Sequence, residues 1–311
     1  MRAARIHAFG EPPSVDEVDE PRIEEGESLF EVAFASVNPL DVWVSDGTVA
    51  GGTQRLPFVP GSEATGMLEG RRVLVRGHGF GVTRDGFYRP RVSVPPGPAI
   101  PIPEALGSEE AACLGVAGGT AWQLVHGIGA VAAEDRVLVL GASGGVGSLV
   151  VQLAKGIGAT VWGQTTDPSK VGFIQGLGVD RVVVAAAVNL LGETMDLSPT
   201  IAIDPLGGGF TAALVEAIVP YGRIVLYGTS AAERAQIHVR QLYRKALQLL
   251  GYSGTIEPEE RNREAMEAAL EVAARGELRV FVDEILPLDR AADAHQLIRD
   301  HTVRGKLLLR P

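Results

Sequence analysis

The sequence holds a single cysteine, Cys113, which excludes any intrachain disulfide and any four-cysteine structural zinc site. Its context, EEAACLGVAG, is apolar and reads as a small buried hydrophobe rather than a reactive thiol. Long hydrophobic runs are missing too. No stretch approaches the roughly 20 apolar residues that cross a bilayer, and MRAARIHAFG lacks the apolar core of a secretory signal, so the chain reads as cytoplasmic. Positive charge is scarce: 28 Lys and Arg stand against 38 Asp and Glu, a net charge of −10, with no basic patch dense enough for a nucleic acid. The six histidines show neither HExxH nor any paired metal spacing and read as surface residues. Small molecules remain as the expected ligands.

What is present begins with 46% apolar and 21% charged residues, an ordinary globular balance. At 311 residues the chain is too long for one typical core, which implies two domains. The stretch around which the rest is organised is Arg136 to Gly147, RVLVLGASGGVG. Val137 to Leu140 form an uninterrupted apolar run, as in a parallel strand covered on both faces. Beyond the glycines, Val146, Val150, Leu153 and Ala154 recur at helical spacing, opposite Ser148, Gln152 and Lys155. Strand, glycine turn and helix together form an anion site. Gly144, Gly145 and Gly147 allow close backbone approach, and the first amides of the helix are unpaired donors with partial positive charge. A diphosphate suits Ser143, Gly144, Gly145 and Val146. Ala142 stands where the first glycine of GxGxxG would be.

Two other readings of this turn stay open. Gly141-Ala142-Ser143-Gly144-Gly145 matches GxSxG, the nucleophile elbow of serine hydrolases, with Asp204 and then His238, His295 or His301 in the expected order. That reading leaves Gly147 unexplained. The other is a tight turn that binds nothing.

In chain order, residues up to about Cys113 are rich in short strands, prolines and glycines, without helical periodicity until Ser108 to Leu114. Phe30, Val32 and Phe34 fall on one strand face, and Asn38, Pro39 and Asp41 read as a helix start. Between Arg71 and Pro103 no element can be placed. From Val116 to about Gly251 strands alternate with helices, which predicts a doubly wound parallel sheet with right-handed crossovers. Strands are predicted at Thr160 to Gln164, Arg181 to Val184, Thr200 to Ile203, Arg223 to Tyr227 and Ala246 to Tyr252. The tail carries a helix from Glu257 to Arg275, a strand at Val280 to Ile285, a helix from Asp289 to Arg299 and a closing strand Lys306 to Leu309.

ASGGVG with VQLAKGIGA, VNPLD, LPFVPGSEATG, LPLDRAADAHQLI and RGKLLL resemble, over nearly the whole chain, the medium-chain dehydrogenase/reductases of the zinc-independent quinone oxidoreductase (zeta-crystallin-like) branch. The resemblance implies an α/β protein, a Rossmann doubly wound parallel sheet plus a β-rich GroES-like substrate domain. The expected division is 1–115 with 253–311 for the substrate domain and 116–252 for the dinucleotide domain, with the active site in the cleft. It also implies NADPH as cofactor, a quinone or α,β-unsaturated carbonyl as substrate, and a homodimer paired through the strand Ala246 to Tyr252. Where zinc-dependent relatives carry cysteine and histidine ligands, this chain has Asn38 and Ser62, and Glu63 alone persists, so no metal is expected. By resemblance Asn38, Thr120, Gly228 and Thr229 lie near the cofactor. At the end of the second strand, where an acid would hold the ribose, stand Gln164, Thr165 and Thr166, and Lys170 matches a family lysine on the 2′-phosphate.

The chain departs from the family where chemistry is expected. The tyrosines of NPxDxY-like patterns are replaced by Trp43 and Val49, and a YAEY-like segment by FYRPR, Phe87 to Arg91. Asn38 and Tyr88 are left as candidates for a polar contact to substrate or nicotinamide. The activity implied is hydride transfer from NADPH to a quinone or activated alkene, including enones and enoyl thioesters. A nucleotide-binding sensor or structural member without turnover is the alternative, and the serine hydrolase is the third.

Overall fold

The computed structural model describes residues 1–49 and 52–311. Strand β1 (Arg2–Arg5) pairs with β2 (Ser14–Glu17), and the chain continues through β3 (Ser28–Val37), α1 (Pro39–Ser45), β4 (Glu63–Leu68), β5 (Arg71–Arg76), β6 (Arg91–Val94), β7 (Ala99–Pro101) and α2 (Ser108–Ala112). Three strands therefore occupy the stretch between Arg71 and Pro103 where the sequence allowed none to be placed. Glycine and proline break the alternation there, and pairing rather than local pattern makes the strands. The β4–β5 connection is the two-residue turn Glu69-Gly70, both at positive φ, the hairpin geometry that matches strand twist.

Next come α3 (Gly119–Trp122), β8 (Arg136–Val139), α4 (Gly145–Ile157), β9 (Thr160–Thr165), α5 (Val171–Gln175), β10 (Arg181–Val184), α6 (Ala187–Thr194), β11 (Ile201–Asp204), α7 (Gly208–Ala217), β12 (Arg223–Leu226), α8 (Val239–Arg244) and β13 (Gln248–Gly251). The six strands are all parallel in the order β10-β9-β8-β11-β12-β13. That order places β8 where the winding reverses, the topological switch point at which doubly wound sheets bind ligands. Val137, Leu138 and Val139 are fully buried, as their unbroken apolar run predicts. Helices α6 and α8 went unread because α6 buries only Leu190 and Thr194 and α8 buries nothing, leaving no periodicity to find.

The chain then supplies α9 (Glu259–Ala274), β14 (Val282–Pro287), α10 (Ala291–Arg299) and β15 (Lys306–Arg310). These last strands join the first segment's sheet, ordered β14-β15-β3-β4-β5-β7 with β6 on β3, around a core that includes Phe30, Phe80, Phe87 and Leu309. Two compact units result: Met1–Gly118 with Glu259–Gly276 and Val280–Pro311, and Gly119–Pro258 with Glu277–Arg279. The short piece Glu277–Arg279 goes with the parallel sheet because the Gln152 side chain of α4 both donates to the Arg279 carbonyl and accepts its N–H, each at 2.9 Å.

Candidate functional site

The unit with the parallel sheet is built around the turn between β8 and α4. Gly141 adopts φ +59°, which reverses the chain after Leu140. A side chain at Gly147 would collide with the Gly141 carbonyl and the Ala142 Cα, so only glycine lets the helix start this close to the strand. Ala142 is accommodated from across the sheet: opposite it stands Gly163, where a Cβ would lie 3.0 Å from the alanine methyl. Gln164, fully buried at the end of β9, ties the turn down. Its Oε1 accepts the Gly141 N–H at 3.1 Å, and its Nε2 donates to the Ala185 carbonyl at 2.6 Å. The first turn of α4 carries no side-chain cap and begins after Gly144 in extended conformation, so its amide donors remain for an anion. Gly144, Gly145 and Val146 are half-buried and Ser143 is nearly covered.

At the end of β9, Thr165 is buried and its Oγ1 accepts the Asp167 N–H at 3.1 Å, while Thr166 is exposed. Lys170 closes the 3-10 turn Pro168–Lys170 and is only 6% exposed, so it is not a solvated helix residue. Asp167, which the sequence pattern did not single out, caps that turn by accepting the Ser169 N–H at 2.8 Å. Its spacing, twenty residues after Gly147, is the signal that could have found it. Thr120 is half-buried on α3. Gly228 and Thr229 follow β12 and line an open groove of about 630 Å³ with Gly207, Tyr227, Glu233 and Ile256.

In the β-rich unit, Asn38 and Tyr88 are both buried, and neither offers a free polar atom. Asn38 stands at the N-cap of α1, but its Nδ2 donates to Glu63 Oε1 at 2.9 Å and its Oδ1 accepts from Lys306 Nζ. Glu63 Oε2 accepts the Val116 N–H at 2.5 Å, and Lys306 Nζ lies 3.6 Å from Glu63 Oε1. Asp41 takes the N–H groups of Asn38 and Ser62 at 2.8 and 2.9 Å and the Tyr88 hydroxyl at 3.2 Å. Burial pushes the Asp41 carboxyl up to about 6 despite those donors, and burial beside Asp41 pushes the Tyr88 hydroxyl well above its ordinary range. Both side chains are thus buried and hydrogen-bonded within the β-rich unit, which is where the structure places the two candidates for a contact to substrate or nicotinamide.

His295 corrects an expectation. It is buried on α10 against the Tyr88 ring, with neither ring nitrogen hydrogen-bonded, and burial pushes it down to about 3. Its i+4 relation to Ala291 was the available signal. The hydrolase reading loses its acid–base pair, because Asp204 accepts from the Leu206 and Gly207 amides and Thr211 Oγ1 and from no histidine. His238 pairs with Glu216 instead. Cys113 is buried, and burial pushes its thiol up to about 12. Among the described residues no group of three or more His, Cys, Asp or Glu could hold a metal ion, and no helix is long and apolar enough to cross a membrane.

Comparison with known proteins places this geometry. The human synaptic vesicle membrane protein VAT-1 homolog is 30% identical over 289 residues, covering 82% of this chain and 72% of that protein. The quinone oxidoreductase from Thermus thermophilus, solved alone and with NADPH, superposes with a TM-score of 0.87 at 28% identity over all of both chains. The chain belongs to the medium-chain dehydrogenase/reductase superfamily, in its quinone oxidoreductase-like branch. Its fold is accordingly the Rossmann sheet plus a β-rich GroES-like domain. The zinc-binding dehydrogenase family model matches residues 177–309, a span that includes none of Asn38, Ser62 and Glu63. A phenolphthiocerol/phthiocerol polyketide synthase of Mycobacterium tuberculosis is 28% identical over 314 residues, 95% of this chain, but the chain spans only 14% of that protein.

Proposed function

We propose that the protein is a zinc-independent oxidoreductase that uses NADP(H) and passes hydride to a quinone or an activated alkene, such as an enone or enoyl thioester. The observation that carries this reading is the first turn of α4, uncapped behind a glycine turn, beside a strand that ends in Gln164-Thr165, followed by Thr166, rather than in an acid. Unpaired amides at the positive end of a 13-residue helix suit a diphosphate. Ser143, Gly144, Gly145 and Val146 would hold it, Thr165, Thr166 and Lys170 the adenosine ribose and its 2′-phosphate, and Thr120, Gly228 and Thr229 the nicotinamide end. When bound, the cofactor supplies a hydride from its nicotinamide C4. The chain's part is to bind, to orient and to exclude water, so that proximity carries much of the barrier.

The acceptor class follows from what the chain lacks. Alcohol oxidation in zinc-dependent relatives relies on a Lewis acid that makes an alkoxide accessible near neutral pH. Here Asn38 and Ser62 stand at the ligand positions, and the charge beside Glu63 is the ammonium of Lys306. A conjugated acceptor needs less help, since added hydride leaves an enolate or hydroquinone anion whose charge is already delocalised. A single hydrogen-bond donor to that anion is worth about 3 kcal/mol in other sites, and water can deliver the final proton. The burial of Asn38 and Tyr88 favours a second reading, a nucleotide-binding protein without turnover.

The deciding experiment compares NADPH oxidation with quinones and enones against NADP reduction with primary and secondary alcohols, with and without chelator. Turnover of conjugated acceptors, indifferent to chelator, is expected. Fast alcohol oxidation would overturn the proposal, and tight NADPH binding without turnover of any acceptor would establish the second reading. A homodimer through β13, at the edge of the parallel sheet with its free backbone groups, completes the proposal. Light scattering should give twice the chain mass at micromolar concentration.

A further inference from the structure

The register of β9 against β8 closes at Gly163 and Val139, and against β10 at Thr165 and Val184. Just past the first of these ladders the Gln164 carbonyl accepts the Ala142 N–H at 3.0 Å, a main-chain bond that any residue at this position could make. The side chain adds a second tie that depends on its own chemistry. Its Oε1 accepts the Gly141 N–H at 3.1 Å, and its Nε2 donates to the Ala185 carbonyl, beyond the end of β10, at 2.6 Å. These partners dictate the orientation of the amide, since turning it over would set NH2 against an N–H and oxygen against a carbonyl. With 1% of its surface exposed, Gln164 presents no polar atom to a ligand. Gly141 has reason to be held. It sits at φ +59°, a region that glycine enters and leaves with little steric cost. Its carbonyl accepts the Gly144 N–H at 3.0 Å, so a rotation at Gly141 is carried to the start of α4.

We infer that Gln164 is a positioning residue: it fixes Gly141 from inside the sheet and so pre-orders the donors of the turn for a diphosphate before any ligand arrives. The inference rests on the dinucleotide reading above and deepens it. An amide bonded at both ends keeps one orientation, and the bond to Ala185 is what stops it from swinging away from Gly141. A ligand that meets an ordered turn does not lose affinity to the entropy of ordering it. The diphosphate is common to NAD⁺ and NADP⁺, so the side chain acts on both by the same factor.

The test is calorimetric titration of the full-length protein with NAD⁺ and with NADP⁺, without acceptor, joined to hydrogen exchange read by mass spectrometry. Gln164→Met keeps the length and shape of the side chain and removes both hydrogen bonds. Should that variant not fold, Gln164→Asn keeps an amide about 1.5 Å short of bridging its two partners, and the same results are expected of it. Both nucleotides should bind about tenfold more weakly, the order of re-ordering one residue's backbone on binding, with their ratio unchanged. Exchange should rise in the peptide covering residues 140–148, stay unchanged in β11 and β12, and fall back when NADP⁺ saturates the variant. Unchanged affinity for both nucleotides, whatever happens to stability, would overturn the inference and leave Gln164 as a satisfied core residue. So would weakening of NADP⁺ alone, which would place its action at the ribose end, or a rise in exchange that spreads evenly over the parallel sheet. Wild-type protein that binds neither nucleotide would instead overturn the dinucleotide reading itself.

Discussion

In the cluster around Glu63 every charged group finds its partner inside its own unit, whereas the turn before α4 leaves its donors without a side-chain cap. The first arrangement is closed. Lys306 satisfies its ammonium on Asn38, the Val37 carbonyl and Glu63, and Asp41 accepts three donors. The second is open, with buried strands beneath and unpaired amides above. The contrast teaches that Asn38, Glu63 and Lys306 serve one another as an internal scaffold, while the turn before α4 keeps the incomplete bonding that a ligand site needs.

The largest effect that would sharpen this comparison comes from opening the closed cluster. Lys306→Met leaves Glu63 buried without its cation and should cost about 4 kcal/mol in denaturant unfolding, with part recovered in the double variant carrying Glu63→Gln. A loss below about 1 kcal/mol would mean the pairing is incidental. At the open site, Gly147→Val forces a side chain into the Gly141 carbonyl. Calorimetry should show NADP⁺ binding weakened by about 100-fold, or about 2.7 kcal/mol, in a protein that still unfolds cooperatively.

Smaller effects follow in turn. The folded His295 titrates near 3, against an ordinary value of about 6.5. The unfolded chain therefore binds a proton that the folded one refuses, and this contribution, complete above pH 6.5, is lost as pH falls toward 3. His295→Phe should remove about 2 kcal/mol of the destabilisation between pH 7.5 and pH 5; parallel pH profiles of wild type and variant would refute the closed environment. Asp41 runs the other way: its folded pKa is raised to about 6, so its contribution is present below 3.8 and lost as pH rises through 6. Tyr88→Phe removes one of the three donors to Asp41 and should cost about 1 kcal/mol of stability with NADPH turnover retained. A collapse of kcat without loss of stability would return Tyr88 to the reaction.

Much of the parallel sheet was legible in the sequence because its strands are continuous apolar runs and α4 carries a strong one-sided pattern, both set by local burial. The β-rich unit was legible only in part. Its short strands between Arg71 and Pro103 exist through pairing with β3, β4 and β5, which no local window contains. The role of Lys306 was invisible for the same reason, since its partner Asn38 lies 268 residues away. His295 was misread because a titratable side chain suggests a surface, although the spacing of its helix already turned it inward.

The sequence by itself determined the glycine turn, the alternation that winds the parallel sheet, and the residues beyond β9. Those features rest on backbone sterics and periodicity, which act over a few residues. Only the tertiary structure decided where the polar side chains went. It sent Asn38 and Tyr88 inward, joined Lys306 to Glu63, set Gly163 against Ala142 and pinned Asp167 beside the strand end. Each of these depends on which distant backbone a side chain meets, and on the cost of burying a charge or donor without a partner.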